Sequence, residues 1–256
     1  SIGRNALSAN TTGSENVALG DNTLDAATTV NRNTAIGFEA LTDNTTGASN
    51  VAIGAKALAN NTTASNNTSV GTGSLEINTT GSSNAALGQA ALYANTTGSS
   101  NTALGKSALA ANTTASYNTA VGSLSLLDNT TGADNTAIGY ASLYENTTAS
   151  SNTAIGYASM QDNTTGASNT AVGKDALTNN TTASNNTAVG KDALLTNTTG
   201  TRNVAVGALA LDASTTADNN TALGYASLGA NTAGTLLVSV GAYSLVAIQL
   251  DLEILQ

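Results

Sequence analysis

The sequence lacks cysteine, histidine, proline and tryptophan altogether, and only 9% of its 256 residues are charged and 3% aromatic. Without cysteine, the chain can form no disulfide, thiolate nucleophile, zinc finger or iron–sulfur site. Without histidine, it has neither an ordinary Ser-His-Asp triad nor an imidazole ligand for a metal. We therefore expect that the protein is not an enzyme and that it uses no cofactor and no metal.

Basic residues are scarce as well, because 7 Lys and Arg stand against 16 Asp and Glu, which gives a net charge of −9. A negative chain is repelled by phosphate, so neither nucleic acid nor an anionic membrane surface is an expected partner. No apolar run is long enough for a transmembrane helix, so we expect no membrane insertion within this segment. The chain opens in the middle of a repeat at Ser1, and we expect it to be a piece of a longer protein.

What the sequence has in abundance is a repeat, because glycine recurs at every seventeenth residue from Gly3 to Gly241. We number each repeat from this glycine, position 0, to position +16, and we call the equivalent residues of successive repeats a column. The pattern is G-x-x-A-L-x-x-N-T-T-G/A-x-x-N-T-A-I. Seventeen residues are too few for a pair of helices, so each repeat is predicted to be one coil of a solenoid.

Two columns carry the large apolar side chains: +4 is leucine except at Met160, and +16 is always isoleucine, valine or leucine. Positions +13 to +16 predict a short strand, with +14 and +16 on one face and the small +15 residue on the other. Positions +1 to +7 fit either a second short strand or one helical turn. We predict that the +4 and +16 columns form the core, with these representatives: Leu41, Leu58, Leu92, Leu109, Leu143, Ile36, Ile53, Ile138 and Ile155.

These patterns predict an all-β chain, with or without one short helical turn per coil, folded as a parallel β-solenoid (β-roll) of about fifteen coils. The solenoid is predicted to cover residues 1–235, followed by a divergent segment at 236–256. Within that segment, residues 246–254 alternate apolar and polar, which indicates a strand that either caps the last coil or leads into another module.

The turn of each coil is rich in Asn and Thr at positions +7, +8, +9 and +13. Stacked coils about 4.8 Å apart would let these side chains form ladders, each bonded to the identical side chain one coil away. The same Asn-Thr-Thr run matches the acceptor pattern for N-glycosylation, which ladder bonds would make inaccessible. The predicted structural ladder includes Asn44, Asn95, Asn112, Asn146, Thr45, Thr96, Thr113 and Thr147.

Before the C-terminal tail, every charged residue lies at +1, +2, +5, +6, +11 or +12, so these columns are predicted to face water. The carboxylates are scattered among them, which favours a solvated surface over a glycosidase pair or a calcium loop. Aromatic residues at +1 and +5 either bind sugar rings or form ordinary surface. These candidate contact residues are Phe38, Tyr93, Tyr140, Tyr144, Tyr157 and Tyr225.

Two further features bear on assembly. Burial of two large apolar side chains per coil stabilises the fold by much less than the conformational entropy of ordering seventeen residues costs. The coil therefore needs stacking or a partner. Because the small +15 residue would let another backbone approach closely, we predict a parallel homo-oligomer, with a trimer as the expected form. Glycine and alanine also alternate at +10 from Gly98 to Gly234, a weaker 34-residue period to which the sequence assigns no role.

The strand and its glycine, as in the run Val-Ala-Ile-Gly-Ala-Lys-Ala at 51–57, resemble the head repeats of YadA-like trimeric autotransporter adhesins. The resemblance covers nearly the whole chain and extends to segments of phage tail fibres and large bacterial surface proteins. It implies a trimer of left-handed parallel β-rolls that binds host matrix or other surfaces. The inserted Asn-Thr-Thr-Gly/Ala turn makes these repeats longer than those of the family, and no binding residue of the family can be placed on this chain.

Together these features predict a non-enzymatic structural or adhesive rod, displayed outside the cell or on a virion, that mediates attachment or fibre assembly. A phage tail-fibre shaft and a filament subunit that joins end to end are the alternatives. Ice binding is a minor alternative, because adjacent Thr residues at +8 and +9 would point to opposite faces of a strand. The expected partners are copies of the chain itself and, for an adhesin, a host surface or glycan.

Overall fold

The structure is a computed structural model that describes residues 1–245. It confirms an all-β parallel solenoid of 17-residue coils, and the described residues include no helix. Fourteen three-residue strands form a single sheet in which the order of the strands is their order along the chain. The strands are β1 (Val17–Leu19), β2 (Thr34–Ile36), β3 (Val51–Ile53), β4 (Thr68–Val70), β5 (Ala85–Leu87), β6 (Thr102–Leu104), β7 (Thr119–Val121), β8 (Thr136–Ile138), β9 (Thr153–Ile155), β10 (Thr170–Val172), β11 (Thr187–Val189), β12 (Val204–Val206), β13 (Thr221–Leu223) and β14 (Val238–Val240).

The register of the sheet is constant, because each strand pairs in parallel with the strand 17 residues later. Ala35 lies opposite Ala52, for example, and Ile138 lies opposite Ile155. Fourteen strands at about 4.8 Å make a rod roughly 60 Å long, in which each column runs parallel to the rod axis. Within residues 1–245 no helix is long and apolar enough to cross a membrane.

Positions +1 to +7 form neither a strand nor a helical turn but two successive turns. In the coil that begins at Gly54, Lys56 and Leu58 have φ angles of 59° and 54°, in the left-handed region that interrupts a right-handed helix. The main chain is still bonded to both neighbouring coils. The N–H of Lys56 donates to the carbonyl of Phe38 at 2.8 Å, and the N–H of Leu58 donates to the carbonyl of Ser74 at 3.0 Å.

The glycine at position 0 is strictly periodic because no other residue fits there. Gly156 has a φ of 138°, which L-amino acids rarely adopt, and a Cβ on it would lie 2.4 Å from the carbonyl oxygen of Gly173. The same close approach recurs along the column, so the sharp bend after each strand depends on glycine.

The core is a thin column of leucine and alanine. The five leucines predicted for the core are fully buried, and this part of the prediction is confirmed. Each leucine packs inside the coil with the alanines of columns +3 and +15, such as Ala40 and Ala52, which are also fully buried. A 17-residue coil therefore has room for one large side chain, and its strand contributes only a methyl group to the interior.

The 34-residue period at +10 has a steric cause. A Cβ on Gly166 would lie 2.1 Å from the carbonyl oxygen of Ala183, the +10 residue of the next coil. In the same coil, the N–H of Ala167 at +11 donates to the hydroxyl of Ser184 at 3.0 Å. Seven glycines at +10 lie in coils whose next coil is also described. In each case the next coil has Ser, Asn or Asp at +11, and this side chain accepts the bond. The 34-residue unit thus pairs a coil that has glycine at +10 with a following coil that has a polar side chain at +11.

The solenoid continues beyond residue 235, where the sequence pattern changes. Strand β14 pairs with β13 in the same parallel register, with Ala222 opposite Ser239. The coil path therefore extends through at least residue 245. The predicted C-terminal strand at 246–254 lies outside the described residues.

Candidate functional surfaces

The outward face of the sheet includes the aliphatic +16 column, which the sequence analysis assigned to the core. Ile53 and Ile138 at +16 are 36% and 38% exposed, and Ile36 and Ile155 are half-buried. The prediction that these four isoleucines belong to the core was wrong. The reason is steric: the interior beside each strand is filled by the leucine column and accepts only the methyl of +15.

The same reversal applies to the surface predicted to contact a partner. The alanines at +15, such as Ala137, lie inside the coil with no exposed area, so no second backbone can approach them. The residues of the strand that do reach solvent are +14, mostly threonine or valine, and +16, always aliphatic. We call these two columns from β1 to β14 the outer strip. It contains no charged residue, although charged residues occupy the columns of the turns.

Buried asparagines connect the coils on the side of the turn. The amide of Asn61 at +7 donates to the side-chain oxygen of Asn44 at 2.8 Å and to the carbonyl of Ala64 at 3.0 Å. Asn50 at +13 of the preceding coil also donates to the Ala64 carbonyl, at 2.9 Å. Two asparagine columns therefore converge on the carbonyl of the +10 residue. Their bonds hold this carbonyl in place, so it cannot move away from a larger side chain at +10 of the preceding coil.

The predicted asparagine ladder thus consists of bonds between identical side chains, and it includes Asn95, Asn112 and Asn146 as well as Asn44. These amides are buried and bonded in the folded rod, so the Asn-Thr-Thr sites cannot accept a glycan there. The threonine column at +8 behaves differently from the prediction. The hydroxyl donates to the main-chain carbonyl of the next +8 residue, not to its side chain, at Thr45, Thr96, Thr113 and Thr147.

The two adjacent threonine columns lie in a turn, so the strand alternation assumed from the sequence does not apply to them. Thr147 at +8 is half-buried and its hydroxyl donates to the main chain of the next coil, whereas Thr148 at +9 is exposed. The premise of the argument against ice binding, that these columns lie in a strand, was therefore wrong.

The aromatic candidates lie on the surface, but they do not form one platform. Tyr140 and Tyr157 stack with their ring centroids 5.3 Å apart and an interplanar angle of 18°, and the Lys174 ammonium lies 5.7 Å from the Tyr157 centroid. Tyr140 and Lys174, which belong to the same +1 column, thus lie next to the Tyr157 ring. Phe38, Tyr93 and Tyr225 are exposed elsewhere along the rod, and Tyr144 is half-buried.

The charged columns lie at the surface as predicted, and the acids at +5 are half-buried. Arg32 bonds to Glu15 at 2.8 Å, and Lys191 pairs with Asp192 at 3.0 Å. Partial burial raises the pKa of Asp212 at +5. By contrast, the main-chain N–H and the hydroxyl of Thr201 lower the pKa of Asp218, which accepts both bonds.

In residues 1–245 no three Asp and Glu side chains are close enough together to hold a metal ion. A cavity of about 450 Å³ at the C-terminal end is lined by residues 230–235 and Leu237, none of which is titratable. The outer strip combines aliphatic side chains that reach solvent with a lack of charge over fourteen strands.

Sequence reasoning found the buried leucines and the asparagine ladder, but it missed the outer strip and the +11 side chains that bond to the preceding coil. A signal for the latter was present, because seven of the eight glycines at +10 are followed 18 residues later by Ser, Asn or Asp. No protein-family model matches the chain, and neither a curated protein nor a solved structure matches it.

Proposed function

We propose that this chain is a structural segment of an extracellular fibre, a rod that assembles with copies of itself through the outer strip. The observation that carries the proposal is the uncharged aliphatic column at +16, which reaches solvent in all fourteen strands and is exposed in seven of them and half-buried in the others. Continuous apolar patches of several hundred Å² are uncommon on monomers and mark surfaces of interaction.

The size of the strip supports an interface between copies. A strand of three residues is about 10 Å wide and the sheet is roughly 60 Å long, which gives about 600 Å² before the relief of the side chains is counted. Stable protein interfaces bury about 800 Å² on each partner. A second copy aligned in parallel offers the same spacing of coils and the same chemistry, so every coil can repeat one contact.

The remaining faces of the rod suit display. Six columns of variable, charged or aromatic residues surround the strip, while the interior hardly varies from coil to coil. An adhesive contact belongs on these variable columns, where the tyrosines lie. The same rod serves an adhesin head or a tail-fibre shaft, and the modules that flank it in the whole protein distinguish the two.

The test is the mass in solution of the wild type and of a variant with Ile138→Lys and Ile155→Lys. Both side chains reach solvent, so the variant is expected to fold while two charges in the strip prevent association. We expect light scattering to give a multiple of 25.1 kDa for the wild type, three times for a trimer, and the single mass for the variant. A variant with Thr131→Lys and Thr148→Lys, which places the same two charges on another face, should keep the wild-type mass.

A wild type that stays monomeric at every concentration refutes the proposal. Dissociation by the Thr131→Lys, Thr148→Lys variant to the same extent also refutes it, since the effect would then not depend on the strip. Circular dichroism of each variant separates a failure to associate from a failure to fold.

A second candidate function is favoured by one observation, the exposed threonine column at +9. It presents hydroxyl and methyl groups to ordered water at the spacing of the coils, with Ala233 as the one exception in the column. Ice binding predicts thermal hysteresis from the purified rod and its loss in a Thr131→Lys, Thr148→Lys variant. A wild type without thermal hysteresis eliminates this candidate and leaves the fibre proposal untouched.

A further inference from the structure

Two pairs of tyrosines from successive coils lie ring against ring on the surface of the rod. Tyr140 and Tyr157 are stacked at 5.3 Å between centroids. Tyr225 and Tyr243 meet edge to face, with centroids 5.1 Å apart and an interplanar angle of 75°. All four side chains are exposed, so a soluble oxidant can reach them. The neighbouring coil holds the partner ring in place.

We propose that these pairs are sites of oxidative cross-linking, in which each pair forms one dityrosine bond and joins successive coils covalently. The oxidant is hydrogen peroxide, used by a haem peroxidase. Each phenol loses one electron and one proton, and the two phenoxyl radicals form a bond between ring carbons adjacent to the hydroxyls. The ring hydrogens then move to oxygen, so two tyrosines and one peroxide give one dityrosine and two waters.

The geometry favours this product over competing ones. A phenoxyl radical in solution must diffuse to a second radical, whereas here the second ring is already in van der Waals contact. The phenol of Tyr225 raises the pKa of Tyr243, in keeping with the contact between the two rings. Tyr117 is 66% exposed and belongs to neither pair. It is therefore equally accessible to the oxidant without the neighbouring ring.

The consequence is mechanical. A dityrosine bond between Tyr140 and Tyr157 closes a loop of one coil, so that coil cannot unwind from its neighbour when the fibre is pulled. The bond lies on the +1 column, away from the outer strip, and is compatible with the proposed assembly. This inference does not depend on that assembly, because both rings of each pair belong to one chain.

The experiment treats dilute purified protein with a haem peroxidase and hydrogen peroxide. We expect dityrosine fluorescence in the single-chain species and a mass reduced by four hydrogen atoms, two for each bond. Cleavage after Asp and Glu, at Asp134, Glu145 and Asp162, places Tyr117, Tyr140 and Tyr157 in three different peptides, so a product that joins peptides 135–145 and 146–162 identifies the first bond. Tyr157→Phe should remove this product and half of the mass change, and Tyr117→Phe should remove neither.

Three results would overturn the inference. One is a single-chain species that loses no hydrogen under oxidation. Another is cross-linked peptides containing Tyr117 as often as Tyr140 and Tyr157. The third is an equal yield from protein unfolded in urea, which would show that the folded geometry makes no contribution. If Tyr157→Phe does not fold, peptide mapping of the wild type alone still gives the first two answers.

Discussion

The asparagine ladder has two interruptions, and each leaves a buried oxygen without a partner. Ser214 takes the place of asparagine at +7, and the side-chain oxygen of Asn197 in the preceding coil has no hydrogen-bond donor. Asn10 is in the same position, because Ala27 follows it in the column. The substitution Ser214→Asn is therefore expected to repair the ladder and stabilise the rod.

The magnitude follows from the bonds that an asparagine makes elsewhere in the column. Its amide would donate to Asn197 and to the carbonyl of Ala217, which now accepts only one asparagine amide, that of Asn203 at 2.7 Å. Its oxygen would accept from Asn231, whose amide bonds only to Gly234. An intramolecular hydrogen bond contributes about 1 kcal/mol, and an unsatisfied buried group costs about 1–3 kcal/mol. We expect a gain in the free energy of unfolding of about 1–3 kcal/mol.

The matched control introduces the same defect where the ladder is intact. The amide of Asn163 donates to Asn146 at 3.0 Å, and its oxygen accepts from Asn180 at 2.7 Å. Asn163→Ser should therefore destabilise the rod by about 2–4 kcal/mol, because two buried partners lose their bonds at once.

Urea denaturation gives the overall change in stability, but a repeat protein can unfold in parts. Native-state hydrogen exchange of the amides in the substituted coils therefore provides the local measurement. If Ser214→Asn folds but raises neither the protection against hydrogen exchange nor the free energy of unfolding, the ladder does not contribute to stability as argued. A loss of stability in Asn163→Ser alone would then reflect a cavity and not a broken bond.

Two other predictions concern the turn. Gly166→Ala should lower the free energy of unfolding by about 2–5 kcal/mol, because the carbonyl of Ala183 that the new methyl would displace accepts two buried amides. The reverse change, Ala183→Gly, should cost only about 1 kcal/mol of chain entropy, and equal effects in denaturant would contradict the steric explanation. Asp218 has a lowered pKa, so its carboxylate stabilises the fold above the ordinary aspartate pKa of about 3.9, and this contribution disappears as the pH falls through the lower folded value. Asp218→Asn should therefore be less stable than the wild type at neutral pH and equal to it in strong acid, and a difference that persists there would show that the carboxylate charge is not the cause.

The exact period of glycine determined that the chain is a solenoid, and the restriction of charge to six columns showed which residues face water. Leu58 could be placed inside and Asn61 in a ladder because their columns are nearly constant and their side chains are suited to burial and to ladder bonds. Such columns reflect contacts with the equivalent residue in the next coil, and these contacts can be read from one repeat.

The face of the strand that points into the coil could not be read in the same way. Ala52 and Ile53 alternate, and alternation shows that they face opposite sides without showing which side is inside. Tertiary structure decided this, because the leucine of the opposite turn fills the thin interior and leaves space for a methyl group only. The larger side chain is thereby placed on the surface, where a second molecule can cover it.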